Sequence, residues 1–99
     1  MSLPARNVRT REFREMYGKL PRQIRELAIQ TYALFLRDPS HPMLGRHTLD
    51  DIARGRHRSG SWSVRITQKY RAIYAVDGNT NVWYWVGSHN DYENFTGRK

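Results

Sequence analysis

Arg65 and Arg71 flank a short turn, and His89, Asp91 and Tyr92 follow Gly87-Ser88 near the end of the chain. Guanidinium groups match phosphate oxygens with paired donors and keep their charge at any physiological pH. An imidazole exchanges protons near neutrality, a phenol can donate one, and a carboxylate can orient the ring. These residue types can hold an anion, through the arginines, and move a proton, through His89. Each also has an ordinary reading. Arg65 and Arg71 can be solvated surface residues, and Ser88 can simply cap a terminal helix pinned by Tyr92 and Phe95, leaving His89 exposed.

The elements that must position these residues are legible in the spacing. Ser61 to Thr67 alternates Trp62, Val64 and Ile66 with Ser63, Arg65 and Thr67, a strand with one buried face. Tyr70 to Val76 follows after a tight turn at Gln68-Lys69, and Asp77-Gly78-Asn79 signals a second hairpin. Asn81 to Val86 alternates Val82, Tyr84 and Val86 against Trp83 and Trp85, tryptophans that either stack bases or cover the core. Ahead of the strands, Thr10 offers an N-cap to a helix carrying Phe13, Met16, Tyr17 and Leu20, ended by Gly18 and Pro21. A second helix places Ile24, Leu27, Ala28, Thr31, Leu34 and Phe35 on one face and stops at Asp38-Pro39. The short link between them predicts an antiparallel helical hairpin. Arg46 to Leu49 reads as a short strand, and a helical turn runs from Asp91 to Phe95. The expected class is α+β: an N-terminal helical hairpin packed on a small antiparallel sheet, with a short C-terminal helical turn. If Trp62, Val64 and Ile66 face the helices, Arg65 projects from the opposite face. Arg71 then lands beside it, and two adjacent guanidinium groups are best tolerated with an anion between them.

Composition narrows the classes. A chain of 99 residues supports one domain, expected to span 1–99, with residues 1–9 poorly ordered or in part an expression remnant. The net charge is +8 and the pI 10.4, and fourteen of the seventeen basic residues are Arg. A GC-rich genome is one explanation of that bias; binding to phosphate or to an acidic protein is the other. The run Arg54-Gly55-Arg56-His57-Arg58 is a concentrated positive segment, and with Lys69 it offers charge to a phosphate or to an acidic protein. No Cys is present, the acids are scattered, and His41, His47, His57 and His89 include no i,i+4 pair. No metal site is therefore expected, and with no Gly-rich phosphate loop no cofactor either. No apolar run approaches a membrane span or a signal core, so no membrane partner is expected and the location read is the cytoplasm.

The residues also match a known family. Two leading helices, Leu44-Gly45 in a variable loop, Trp62-Ser63-Val64-Arg65-Ile66, Tyr70-Arg71-Ala72-Ile73-Tyr74 and Trp85-Val86-Gly87-Ser88-His89-Asn90-Asp91-Tyr92 resemble the RelE/ParE superfamily of bacterial toxins, in order, from about Arg11 to Phe95. The resemblance implies the toxin of a type II toxin–antitoxin pair, neutralised by a cognate antitoxin protein. RelE-like members cleave messenger RNA, typically on the ribosome, whereas ParE-like members poison DNA gyrase. The Gly87-Ser88-His89-Asn90-Asp91 arrangement looks like the ribonuclease branch. On that branch the resemblance carries Arg65, Arg71, His89 and Tyr92 over as catalytic residues, and the ribonuclease reading it implies makes Arg54, Arg56, Arg58 and Lys69 the expected RNA-binding residues. Asp91, His47 and His57 are auxiliary candidates, as are Asp50 and Asp51 in the variable loop. The implied reaction is metal-independent attack by the RNA 2′-hydroxyl on the adjacent phosphate. The alternatives are a gyrase inhibitor and an inactive member of the family.

Overall fold

Thr10 starts the first helix as the sequence predicts: its Oγ1 accepts the Phe13 N–H at 3.0 Å. The computed structural model describes residues 6–50 and 55–97; Arg54 and Asp51 lie outside them. The elements are β1 (Arg6–Arg9), α1 (Arg11–Gly18), α2 (Arg22–Arg37), a 3₁₀ turn (Pro42–Leu44), β2 (His47–Thr48), β3 (Ser61–Thr67), β4 (Tyr70–Asp77), β5 (Thr80–Ser88) and α3 (His89–Thr96). The strands form one five-stranded sheet in the order β1-β5-β4-β3-β2. The α+β class stands, with α1 packed over β5 and α2 over β3.

The sheet is mixed, because β1 pairs in parallel with β5, Arg6 opposite Thr80 through Arg9 opposite Trp83. Residues 6–9, expected within a poorly ordered lead, are thus an edge strand. Three of its four residues are exposed, so it carries no apolar alternation to read. Asn7 secures it through Oδ1, which accepts from Asn81 Nδ2 at 3.2 Å and Trp83 Nε1 at 3.0 Å.

The helix-facing core gathers Phe13, Leu20, Phe35, Leu44, Val64, Ala72, Tyr74, Trp83 and Val86, with Trp62 and Ile66 packed against it. Phe35 meets Tyr74 and Trp83 edge-on, at 5.3 and 5.1 Å between ring centres, the arrangement aromatic quadrupoles favour. Burial pushes the Tyr74 phenol up, against the opposing pull of Arg46, whose Nη1 donates to it at 3.2 Å. Leu27 does not join this face. It is 39% exposed, and Ile29, Tyr32 and Leu36 are exposed alongside it on α2.

The other face carries Leu49, Ile73, Ala75, Tyr84, Trp85 and Tyr92. Here strict alternation fails. Ile73 pairs with Trp85 and Tyr74 with Trp83, leaving Tyr84 as an extra residue. Such a bulge rotates the strand by one position. Trp83 therefore lies under the helices, while Tyr84 and Trp85 lie on the opposite face. The expectation that the two tryptophans share a face is corrected by this bulge, and both are largely buried, Trp83 under the helices and Trp85 on the opposite face. A second bulge leaves Ile66 unpaired between Arg65 opposite Arg71 and Thr67 opposite Tyr70.

The C-terminal turn is a full two-turn helix. Ser88 Oγ caps α3 by accepting the Asp91 N–H at 3.2 Å, and Gly97 ends it at φ 71°. The Lys69 carbonyl accepts the His89 N–H at 2.7 Å, fixing the start of α3 to the β3–β4 turn.

Candidate active site

Where α3 leaves the sheet, the face away from the helices carries two cations side by side. Arg65 on β3 stands opposite Arg71 on β4, because the bulge at Ile66 shifts Arg65 into the place that strict register from the turn would give Ile66. Both are partly buried. Arg71 Nη1 donates to the buried Ser63 Oγ at 2.9 Å, and its guanidinium lies 5.3 Å from the centre of the Tyr92 ring. Arg65 Nη2 donates to the Met43 carbonyl at 3.3 Å. Its guanidinium also lies against Gly45, where an added Cβ would sit 3.3 Å from Arg65 Cζ. Gly45 adopts φ 51°, so both its backbone and its lack of a side chain serve this contact.

Tyr92, 1% exposed, is the hub of the site. Its hydroxyl and His47 Nε2 are 3.2 Å apart, and His47 Nδ1 is 3.1 Å from the Gly45 carbonyl. A carbonyl only accepts, so Nδ1 carries the proton. On neutral His47 that leaves the Nε2 lone pair to accept from the tyrosine. On the other side of the hub, the His89 imidazole stacks on the Tyr92 ring at 5.9 Å and 21°. His89 Nε2 is 3.9 Å from Glu93 Oε1, one helical turn on, and its side chain is 47% exposed. Arg65, Arg71, His47, His89 and Tyr92 thus form one contiguous group. It joins two cations with two imidazoles and a phenol.

Other residues named from the sequence fall elsewhere. Arg58 lies over the Tyr84 ring at 4.5 Å and Arg56 over Phe95 at 5.5 Å, which ties this basic loop to the lower part of the face. His57 Nε2 bonds the Leu49 carbonyl at 3.1 Å, an inward structural contact. Asp50 Oδ1 accepts the Gly60 N–H at 2.9 Å. Lys69 is exposed in the turn beside the arginine pair. The carboxylate next to His89 is that of Glu93, four residues on, rather than that of Asp91. Ser63, Gly45 and Glu93 are the site residues that sequence reasoning passed over. The signals for two of them were present, since Ser63 alternates with Arg65 and Glu93 has the i,i+4 spacing. Among the described residues, no group of three His, Cys, Asp or Glu is placed to hold a metal ion, and no helix is long and apolar enough to cross a membrane.

Removing the hydroxyl alone tests the hub. Tyr92→Phe keeps the ring under Arg71 and His89 but breaks the bond to His47, a loss of about 1 kcal/mol. For a chain of this size the melting temperature should fall by roughly 4–8 °C. Tyr92→Ala should cost about 3–5 kcal/mol by opening a cavity. A thermal melt of the two variants separates the hydrogen bond from the packing.

Among curated proteins none matches this sequence. Solved structures do match its fold. YafQ from E. coli superposes with a TM-score of 0.66 at 11% identity, over 87% of this chain and 94% of that one. The YoeB/ParE toxin from Agrobacterium tumefaciens gives 0.62 at 20% identity, over 85% and 98%. The toxin–antitoxin complex RelBE2 of Mycobacterium tuberculosis gives 0.57 at 22%, over 88% and 100%. At these identities the likeness is one of fold. In sequence, residues 22–94 match the family described as the ParE-like toxin domain, from the start of α2 into α3. A match over that much of the chain makes this protein a member of the ParE-like toxin domain family, on a fold it shares with RelE, YafQ and YoeB toxins.

Proposed function

We propose that this protein is the toxin of a type II toxin–antitoxin pair and acts as a metal-independent endoribonuclease on messenger RNA, on the ribosome. The observation that carries the reading is the paired Arg65 and Arg71 beside two imidazoles joined through Tyr92. In the reaction, the RNA 2′-oxygen attacks the adjacent phosphorus and the bond from phosphorus to the 5′-oxygen breaks. The 2′-hydroxyl proton passes to a base, and the departing 5′-oxygen receives one from an acid. His89 is exposed enough to meet substrate and is the group for one of these transfers. The Tyr92–His47 pair is the second place in the site where a proton can be held. Arg65 and Arg71 face the charge that grows on the phosphorane oxygens, the task a metal ion performs in other nucleases.

An antitoxin partner fits the same picture. Two of the solved relatives, RelBE2 and the DinJ–YafQ pair of E. coli, are toxin–antitoxin complexes. On this chain Ile29, Tyr32 and Leu36 form an exposed apolar stripe along α2, 63%, 38% and 54% exposed. A contiguous apolar stripe on so basic a protein suits an acidic, amphipathic partner segment.

The second reading, a gyrase poison, is favoured by the ParE-like description of the family itself. One pair of assays decides between them. Purified protein should cleave messenger RNA when ribosomes are present and should trap no gyrase–DNA complex. Trapped gyrase with intact RNA would assign the protein to the second class.

A further inference from the structure

Beyond the arginine pair lies a crevice that this site does not use. β1 stops opposite Trp83, so the second half of β5, Trp85 to Ser88, has no strand on its outer side among the described residues. The end of α1 and one side of α3 border that half-edge and leave an open crevice of about 680 Å³, the size range of small-ligand sites. Met16 and Leu20 form one apolar wall, and Trp85 and Phe95, stacked at 5.3 Å and 21°, line it too. Two cations, Lys19 and Arg56, line it as well, against one carboxylate, Asp91. An apolar lining with aromatic rings, joined by two cations, matches the two halves of a nucleotide, a base and a phosphate.

The position of the crevice decides what it receives. Tyr70 and Ser88, paired across β4 and β5, line it, and their chain neighbours Arg71 and His89 belong to the candidate active site. The crevice therefore begins within one residue of Arg71 on β4 and of His89 on α3, at the sheet edge beside the candidate active site. We propose that this crevice is a subsite for a single-stranded RNA nucleotide flanking the cleaved bond, with its base between the α1 wall and the Trp85–Phe95 side and its phosphate on Lys19 and Arg56. Asp91, an acceptor only, faces the N–H groups of the base rather than the phosphate. The proposal rests on the ribonuclease reading and adds to it a path for the substrate.

Lys19 is exposed, and its backbone closes α1, so its side chain can change without disturbing the core. Binding of a fluorescent, non-cleavable 2′-O-methyl hexanucleotide is measured with Lys19→Glu, with Arg37→Glu as the equal charge change at the far end of α2, and with Asn94→Trp, which fills the crevice without altering charge. Lys19→Glu should weaken binding at least tenfold and lower the slope of log affinity against log salt by about one. Asn94→Trp should weaken binding at unchanged salt slope, and Arg37→Glu should change affinity less than threefold. Thermal melts confirm that each variant is folded. Equal losses from Lys19→Glu and Arg37→Glu, with Arg65→Glu still the most damaging change, would overturn the crevice and leave the ribonuclease reading standing. Wild-type protein that binds no RNA would overturn both.

Discussion

Replacing His89 by alanine should lower RNA cleavage by about 10²–10⁴-fold, the usual contribution of a positioned proton-transfer group, and should relieve growth arrest on induced expression. The fold should survive. His89 is half exposed at the first position of α3, while the cap on that helix belongs to Ser88 and its anchor is Tyr92. The replacement removes a partly solvated stacking contact and a long pairing with Glu93, which is exposed enough to hydrate. Circular dichroism and a melt close to wild type, together with lost toxicity, are the expected combination. A folded variant as toxic as wild type would remove His89 from the mechanism.

Arg71→Ala should slow single-turnover cleavage by about 10²–10³-fold, the range measured when one donor to a developing oxyanion is lost. Arg71→Lys should recover only part of this, because an ammonium cannot reproduce the fork that reaches Ser63 while facing the Tyr92 ring. Reversing the charge at Arg65 should weaken RNA binding more than the same reversal at Arg25 on α2. Arg65 stands in the arginine pair, whereas Arg25 Nη1 is 3.4 Å from the Gly18 carbonyl between the helices. Affinities read across a salt series make that comparison, since each phosphate contact adds about one to the slope. Equal losses at the two positions would point to diffuse charge rather than a site.

The core of the arrangement was readable because it is local. A two-residue turn joins β3 to β4 and brings Arg65 and Arg71 near each other, but strict register would set Arg71 opposite Ile66, and only the bulge at Ile66 puts Arg65 there. Ser88 at the start of α3 was readable for the same reason. What escaped is non-local or breaks a period. The extra residue at Tyr84 sends Trp83 and Trp85 to opposite faces, and nothing in an alternating run announces where a bulge falls. β1 is an exposed edge held by one asparagine side chain, so it has no buried face to leave a pattern. His47 and Tyr92 are 45 positions apart, and their meeting depends on β2 docking beside β3. The Arg54–Arg58 run read as an open patch, but the Arg56 and Arg58 side chains lie over Phe95 and Tyr84. Charge is visible in a sequence, whereas the ring that a guanidinium covers is not.

The chemistry of the cleaved ends tests the central claim most directly. Attack by the 2′-oxygen leaves a 2′,3′-cyclic phosphate on the upstream fragment and a free 5′-hydroxyl on the downstream one. Mass spectrometry of the fragments released by purified protein from ribosome-bound messenger RNA reads both ends at once. The arginine–histidine site predicts cyclic phosphate and 5′-hydroxyl at every cut, with a single 2′-deoxy substitution upstream of the bond abolishing that cut. Fragments ending in 3′-hydroxyl and 5′-phosphate, or cuts that persist at the 2′-deoxy position, would mean that water is the nucleophile and would contradict the mechanism.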